Sequence, residues 1–126
     1  SPLFPFGYGL TYAQFTYSDL KLSSNLLRGS LEVSATVTNT GARAGRELVQ
    51  LYTRDLVGSL TRPVRELKGF QHVTLGLGEA RRVTFTLTEE QLAFTRADGS
   101  HGVEPGTFHV WLAPDSQHGL RGEFRL

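Results

Sequence analysis

Leu31-Glu32-Val33-Ser34-Ala35-Thr36-Val37-Thr38 alternates apolar and polar side chains without a break. Because successive side chains of a β-strand point to opposite faces, this period of two predicts a strand with one buried face. Six further segments show the same period or an extended pattern: 14–22, 46–54, 66–75, 82–87, 108–113 and 124–126. The patterning of the chain is therefore mainly that of strands.

Turn-forming residues separate these segments. They are Asn39-Thr40-Gly41, Gly76-Leu77-Gly78, Asp98-Gly99, Glu104-Pro105-Gly106 and Pro114-Asp115. Short strands at such spacing, with one short helical turn and no long helix, are typical of a two-layer antiparallel sheet structure. The sequence predicts an all-β, seven-stranded antiparallel β-sandwich over 15–126, preceded by a separate lead-in segment, 1–14.

Two local features refine this prediction. The apolar phase of the first strand shifts between Tyr17 and Leu20, which predicts a bulge or bend there. Thr88 is placed to cap a short helical turn: its hydroxyl would accept from an early backbone amide, and the side chain of Gln91 would reach back.

Composition excludes several classes of function. A chain of 126 residues with a net charge of +1 fits one domain, and its field is too balanced to favour nucleic acid or an anionic membrane. No segment has the ~20 consecutive apolar residues of a membrane span. Without cysteine, no disulfide, thiolate metal site or cysteine nucleophile can form. The abrupt start at Ser1-Pro2 is that expected of a piece of a longer polypeptide.

The lead-in segment is unusually aromatic. Phe4, Phe6, Tyr8 and Tyr12 are interspersed with proline and glycine, whereas a free linker would favour polar residues. The segment is therefore expected to lie against an apolar surface. That surface is either the chain's own sandwich or a neighbouring domain, and the sequence leaves both open.

A family resemblance rests on blocks in a fixed order along the chain. These blocks are Pro2 to Tyr12, Val37 to Gly41, Glu47 to Tyr52, Arg62 to Phe70 and Glu104 to Trp111. Together they closely resemble the C-terminal domain of family 3 glycoside hydrolases of the bacterial β-glucosidase and β-xylosidase type.

The resemblance implies a fibronectin type III-like (immunoglobulin-like) sandwich that follows two catalytic domains. Those two domains hold the aspartate nucleophile and the acid/base residue, and nothing in this chain resembles their segments. It thus implies a non-catalytic accessory domain of a β-glycosidase whose partners are the catalytic domains of its own parent chain. A periplasmic or secreted parent is in keeping with many relatives.

The carboxylates and histidines of the chain agree with a non-catalytic role. Glycoside hydrolysis needs two carboxylates that face one bond, and the adjacent pair Glu89-Glu90 is better interpreted as a solvated pair in a turn. The histidines are scattered without metal-ligand spacing, and His109 is expected at the surface or at a sheet edge. No catalytic residue, metal or cofactor is predicted.

The densest basic stretch is Arg62, Arg65 and Lys68. Glu66 interrupts it and no aromatics are interleaved, so nucleic-acid binding is disfavoured. The ordinary interpretation is a solvated loop that leads into a strand. The alternative is docking, in which Arg62 pairs with carboxylates on a partner domain and the segment 55–65 faces the catalytic domains.

Tyr52 and Trp111 carry the second functional hypothesis. Both alternate with the apolar residues of their strands and so point away from the core, where exposed rings stack on sugars in carbohydrate-binding modules. The alternative is that a loop, a long side chain or an interface covers them. The sequence therefore predicts a docking module, with oligosaccharide binding at Tyr52 and Trp111 as the alternative.

Overall fold

The structure, a computed structural model, describes residues 14–56, 65–92, 94–95, 101–102 and 105–126. Its strands are β1 (Phe15–Leu22), β2 (Ser30–Asn39), β3 (Gly45–Asp55), β4 (Glu66–Leu75), β5 (Ala80–Thr88), β6 (Phe94–Thr95), β7 (His101–Gly102), β8 (Thr107–Ala113) and β9 (Leu120–Arg125). A 3-10 helix, Glu89–Leu92, follows β5.

Two antiparallel sheets form the sandwich. One has the strand order β1-β2-β5 and the other β4-β3-β8-β9, while β6 and β7 pair separately. Each of the seven predicted segments overlaps one strand of the two sheets, the last one only at Phe124 and Arg125 of β9, so the predicted sandwich is confirmed. The pair β6-β7 was not predicted, because strands of two residues are too short to show a period.

The alternating side chains meet between the sheets. On β2, Val33, Ala35 and Val37 are fully buried, and Val49 and Leu51 are buried on β3 of the opposite sheet. Phe108 and Phe124 stack within this core with their ring centroids 5.2 Å apart. Burial of one face per sheet is the main source of stability, because the driving force follows the apolar area removed from water.

The predicted bulge lies in β1. Its register against β2 shifts between Ser18 and Lys21, and Asp19 has a positive φ of 56°. The shift lets Leu20 and Leu22 pack on the core although they are out of phase with Phe15 and Tyr17.

The turn after β5 differs in part from its prediction. The backbone amide of Thr88 donates to Oε1 of Gln91 at 2.9 Å, so Gln91 reaches back as expected. The hydroxyl of Thr88 donates to that same oxygen at 3.4 Å, although it was expected to accept from an early amide. This part of the prediction was wrong, because the hydroxyl of Thr88 is the donor in this hydrogen bond and Oε1 of Gln91 is the acceptor.

Asn39 joins the two sheets at one end of the sandwich. It ends β2 and is fully buried. Its Nδ2 donates to the carbonyls of Arg43 at 3.0 Å and Leu75 at 3.1 Å, and its Oδ1 accepts from the amide of Gly41 at 2.9 Å. The turn residue of the sequence is thus a buried polar link between β2 and β4.

Candidate functional site: a covered aromatic pair on the outer sheet face

The outer face of the four-stranded sheet carries a clustered set of aromatic and cationic side chains. Tyr52 of β3 and Trp111 of β8 are direct cross-strand neighbours on this face. The Arg65 guanidinium lies over both rings, 5.0 Å from the ring centroid of Tyr52 and 4.7 Å from that of Trp111. These distances are in the range of cation–π attraction.

Arg65 also holds the loop between β8 and β9, residues 114–119. Its Nε donates to the carbonyl of Ser116 at 2.5 Å, and its Nη2 donates to the carbonyls of Asp115 at 3.1 Å and His118 at 2.8 Å. A guanidinium places its donors in the plane of the group and its faces above and below. Arg65 can therefore stack on rings and bind carbonyls at once.

Other contacts fix the same loop. Nε2 of Gln50 donates to the carbonyl of Pro114 at 2.6 Å, and the Tyr52 hydroxyl donates to Oε1 of Gln50. At Gly119 φ is +112°, and a Cβ there would lie 2.5 Å from the carbonyl oxygen of Leu112. The loop is thus tied to the sheet at both ends.

Asp115 organises the tip of this loop. One of its carboxylate oxygens accepts from the backbone amides of Gln117 at 2.8 Å and His118 at 2.9 Å, and from Nδ1 of His118 at 2.9 Å. These hydrogen bonds, that from Gln117 foremost, hold the pKa of Asp115 below its usual value. They favour the ionised form, which is the form that accepts them.

A second polar pair joins the sheets beside the loop. The Tyr17 hydroxyl of β1 donates to Oε2 of Glu47 of β3 at 3.0 Å. Burial raises the pKa of Tyr17 far above its usual range, and the Glu47 charge adds to the effect. Burial also raises the pKa of the Glu47 carboxyl, although the Tyr17 hydrogen bond opposes that shift. The pair holds β1 to β3.

The candidate sugar-stacking residues lie on the predicted face, but they are covered. Tyr52 is only 7% exposed and Trp111 is half-buried. His109 packs edge-on against Trp111 with centroids 5.8 Å apart, and its Nε2 lies 3.4 Å from Oε1 of Glu123. The interpretation of Arg65 as part of a solvated loop was wrong, because its guanidinium is bound on these rings and on the loop carbonyls.

Several predicted residues lie outside the described part of the chain. They are Phe4, Phe6, Tyr8 and Tyr12 of the lead-in segment and Arg62 of the segment before β4. Their docking role stays a prediction. Of the other candidates, Lys68 pairs with Glu66 at 3.3 Å, and Oε2 of Glu89 accepts from the amide of Gly29 at 2.9 Å.

Two negative findings apply to the described residues. Within 14–56, 65–92 and the later described segments, no three His, Asp or Glu side chains come together where they could hold a metal ion. In the same part of the chain, no helix has the length and apolar character needed to cross a membrane.

The outer face also carries exposed apolar side chains, which the sequence reading did not single out. Phe70 and Leu67, both on β4, are 60% and 51% exposed. Leu67 is the cross-strand neighbour of Tyr52, so these residues continue the covered aromatic pair towards the sheet edge. Phe70 alternates with the core-facing Val73 and Leu75, so the period of two could have found it. Leu67 is in phase with those two residues and reaches the outer face only through the register shift between Leu51 and Tyr52, which no local pattern shows.

This sandwich, with a covered aromatic pair and without clustered catalytic groups among its described residues, matches a known class of domain. Residues 47–116 match the family model of the fibronectin type III-like domain. The chain belongs to this family, and the fold implied by the resemblance is confirmed.

Sequence relatives extend the likeness to both ends of the chain. A periplasmic β-glucosidase of Salmonella typhimurium is 43% identical over 99% of this chain, and a putative β-xylosidase of Formosa agariphila is 41% identical over the same share. The chain spans 17% of the length of each of these relatives. It therefore corresponds to one part of much longer proteins.

Solved structures agree with the sequence relatives. A β-glucosidase of Erythrobacter marinus superposes with a TM-score of 0.85 at 42% identity, with 100% of this chain and 17% of the other covered. A family 3 (GH3) β-glucosidase of Bifidobacterium adolescentis gives 0.82 at 33% identity, covering 98% of this chain and 18% of the other. The resemblance to family 3 glycoside hydrolases is thereby confirmed.

Proposed function

We propose that this chain is a non-catalytic accessory domain of a family 3 β-glycosidase, which docks on the catalytic domains of its parent chain and stabilises them. The observation that carries the proposal is the match of almost the whole chain to about a sixth of several β-glucosidases and β-xylosidases. A segment of that size leaves the rest of such a protein to hold the reacting groups.

The arrangement of polar groups supports a non-catalytic role. Retaining glycosidases place two carboxyl groups about 5–5.5 Å apart across the scissile bond. In the described residues the carboxylates of Glu66, Glu79 and Asp19 each pair with a lysine or arginine, and that of Glu123 lies 3.4 Å from Nε2 of His109. Glu47 and Asp115 accept hydrogen bonds from this chain's own groups. These carboxylates make contacts within the fold.

The test removes the domain from its parent. Deletion of residues 15–126 is expected to lower the melting temperature of the parent β-glycosidase, because docking removes apolar area from water at about 25 cal/mol per Å². The measurement is a thermal unfolding curve together with kcat/KM on chromogenic β-glucosides and β-xylosides. Unchanged melting and unchanged kinetics would refute the docking role.

Carbohydrate binding at Tyr52 and Trp111 remains the alternative hypothesis. Sugar rings stack on open aromatic faces, whereas Arg65 lies over both rings at 4.7–5.0 Å. The geometry therefore favours docking over sugar binding.

A further inference from the structure

We propose that the docking surface is the outer face of β4, centred on Phe70 and Leu67, and that its occupant is an apolar patch bordered by carboxylates on the catalytic domains of the parent chain. This inference rests on the proposed function and specifies which face of the sandwich performs it.

The two outer faces of the sandwich differ sharply in chemistry. The face of the three-stranded sheet is rich in hydroxyl groups, from Thr16, Ser18, Ser34, Thr36, Thr38, Thr84 and Thr86. On it, Arg82 pairs with Asp19 at 3.1 Å and donates to the hydroxyls of Thr36 and Ser34. Such a face is polar and offers an apolar partner little area to bury.

The face of the four-stranded sheet has the opposite character. Phe70 is 60% exposed and Leu67 51%, and both lie on one strand. The ring of Phe70 makes an edge contact with the ring of His72, with centroids 6.3 Å apart. Large apolar side chains that stand together on a rigid sheet mark an interaction site more often than isolated ones do.

The position of β4 strengthens this argument. It is the outermost strand in the order β4-β3-β8-β9, so among the described residues one of its flanks pairs with no strand. Sheet edges with exposed apolar residues are normally shielded by charge, distortion or another element, because they are prone to pairing with other chains. A bulge in register between Leu51 and Tyr52 distorts this edge, but Phe70 stays open to solvent.

The charges on the same face specify the occupant. Arg46 of β3 and Arg121 of β9 are exposed, and neither makes an ion pair with the described residues. The carboxylate of Glu123 on this face is engaged by His109. Arg46 lies on the strand beside β4, and an exposed cation beside an apolar patch is complementary to a carboxylate beside an apolar patch on the partner.

The charges also decide against a second copy of the chain. In a symmetric dimer the same patch meets itself, so the cations of one copy would border those of the other. The catalytic domains, by contrast, belong to the large remainder of such proteins, since the chain spans only 17% of its relatives. The surface is also preorganised, because Arg65 and Tyr52 fix the sheet next to Leu67, which reduces the entropy lost on docking.

The experiment compares Phe70→Ser and Leu67→Ser in the parent protein and in the 126-residue chain. In the parent, each substitution is expected to lower the melting temperature of the transition in which this domain unfolds by about 2–4 °C, and the double variant by more. In the 126-residue chain, the melting temperature should stay within about 1 °C, because both side chains are already half or more exposed. Leu77→Ser is the matched control, since Leu77 is 64% exposed in the turn between β4 and β5.

Arg46→Glu tests the acidic border. It is expected to lower the parent's melting temperature at low salt and to lose that effect at 1 M NaCl, where charges are screened within about 3 Å. Hydrogen exchange provides an independent readout: amides of β4 should exchange more slowly in the parent than in the 126-residue chain.

The outcomes separate this inference from the proposed function. If deletion of residues 15–126 destabilises the parent but Phe70→Ser and Leu67→Ser do not, docking stands and the β4 surface is wrong. Equal destabilisation of parent and 126-residue chain by Phe70→Ser would also overturn it, since Phe70 would then act within the sandwich. If the 126-residue chain sediments as a dimer and Phe70→Ser abolishes that dimer, the occupant of the β4 surface is a second copy of the chain and the proposal is wrong.

Discussion

Arg65 makes two kinds of contact at once, with aromatic rings and with backbone carbonyls, because its guanidinium is planar. Its guanidinium stacks over the rings of Tyr52 and Trp111 while its in-plane donors bind three carbonyls of residues 114–119. A lysine ammonium lacks both the planar faces and the fork of donors. A single side chain therefore covers an aromatic pair and fixes a loop.

The sequence indicated the positions of this cluster only in part. The period of two placed Tyr52 and Trp111 on the outer face, since each alternates with core residues of its own strand. It could not show that Arg65 covers them, because the three residues come from three strand regions that meet only in the fold. A basic residue two positions after a proline has the same local pattern whether its guanidinium is solvated or stacked on rings.

Replacement of Arg65 by alanine is expected to destabilise the chain by about 1–3 kcal/mol, from the loss of charged hydrogen bonds and cation–π contacts. Urea unfolding measures this. Trp111 is the only tryptophan, so its emission should shift to the red and iodide should quench it more strongly. Arg43→Ala, at an exposed site in the turn between β2 and β3, should change neither property. An unshifted emission from Arg65→Ala would show that Arg65 does not cover the ring.

At the level of strands, the alternation of core residues predicted the strands reliably. The turn-forming residues predicted where turns occur, but not which of those residues are buried. All seven strands of the two larger sheets were predicted, five from a period of two and the segments 14–22 and 66–75 from an extended pattern. Asn39 was predicted as a turn residue. Its burial was not foreseen, because its partners include the carbonyl of Leu75, 36 positions away in the chain. Local patterns cannot report a hydrogen bond between distant strands.

Asn39→Ala is expected to cost about 2 kcal/mol, because it removes the buried hydrogen bond to the carbonyl of Leu75 and the part-buried one from the amide of Gly41. The measurement is the free energy of unfolding in urea, with hydrogen exchange at the ends of β2 and β4. Thr40→Ala is the neighbouring control, since Thr40 is exposed and its hydroxyl makes one long hydrogen bond of 3.4 Å. Similar losses from both variants would contradict the linking role of Asn39.

At the level of the whole molecule, the distribution of polar and apolar surface separates the two hypotheses for its function. One outer face is hydroxyl-rich and satisfied, and the other combines a covered aromatic pair with exposed Phe70 and Leu67. A sugar-binding module would need open rings on a flat face, whereas a docking module needs apolar side chains left in water until the partner arrives. The second description matches the described surface.

Titration of the 126-residue chain with short β-linked glucose and xylose oligosaccharides is therefore expected to produce no saturable amide shifts around Tyr52 and Trp111. To stack on either ring, a sugar must displace Arg65, and a displacement cost of about 1–3 kcal/mol weakens binding by roughly tenfold to a hundredfold. Amide-resolved NMR measures this directly, and Arg65→Ala serves as the comparison in which that cost is absent. Shifts in the unmodified chain that cluster on Tyr52 or Trp111 and saturate would mean that Arg65 yields readily. The chain would then be a carbohydrate-binding module. The covered position of Tyr52 and Trp111 could no longer be used as an argument for docking through β4.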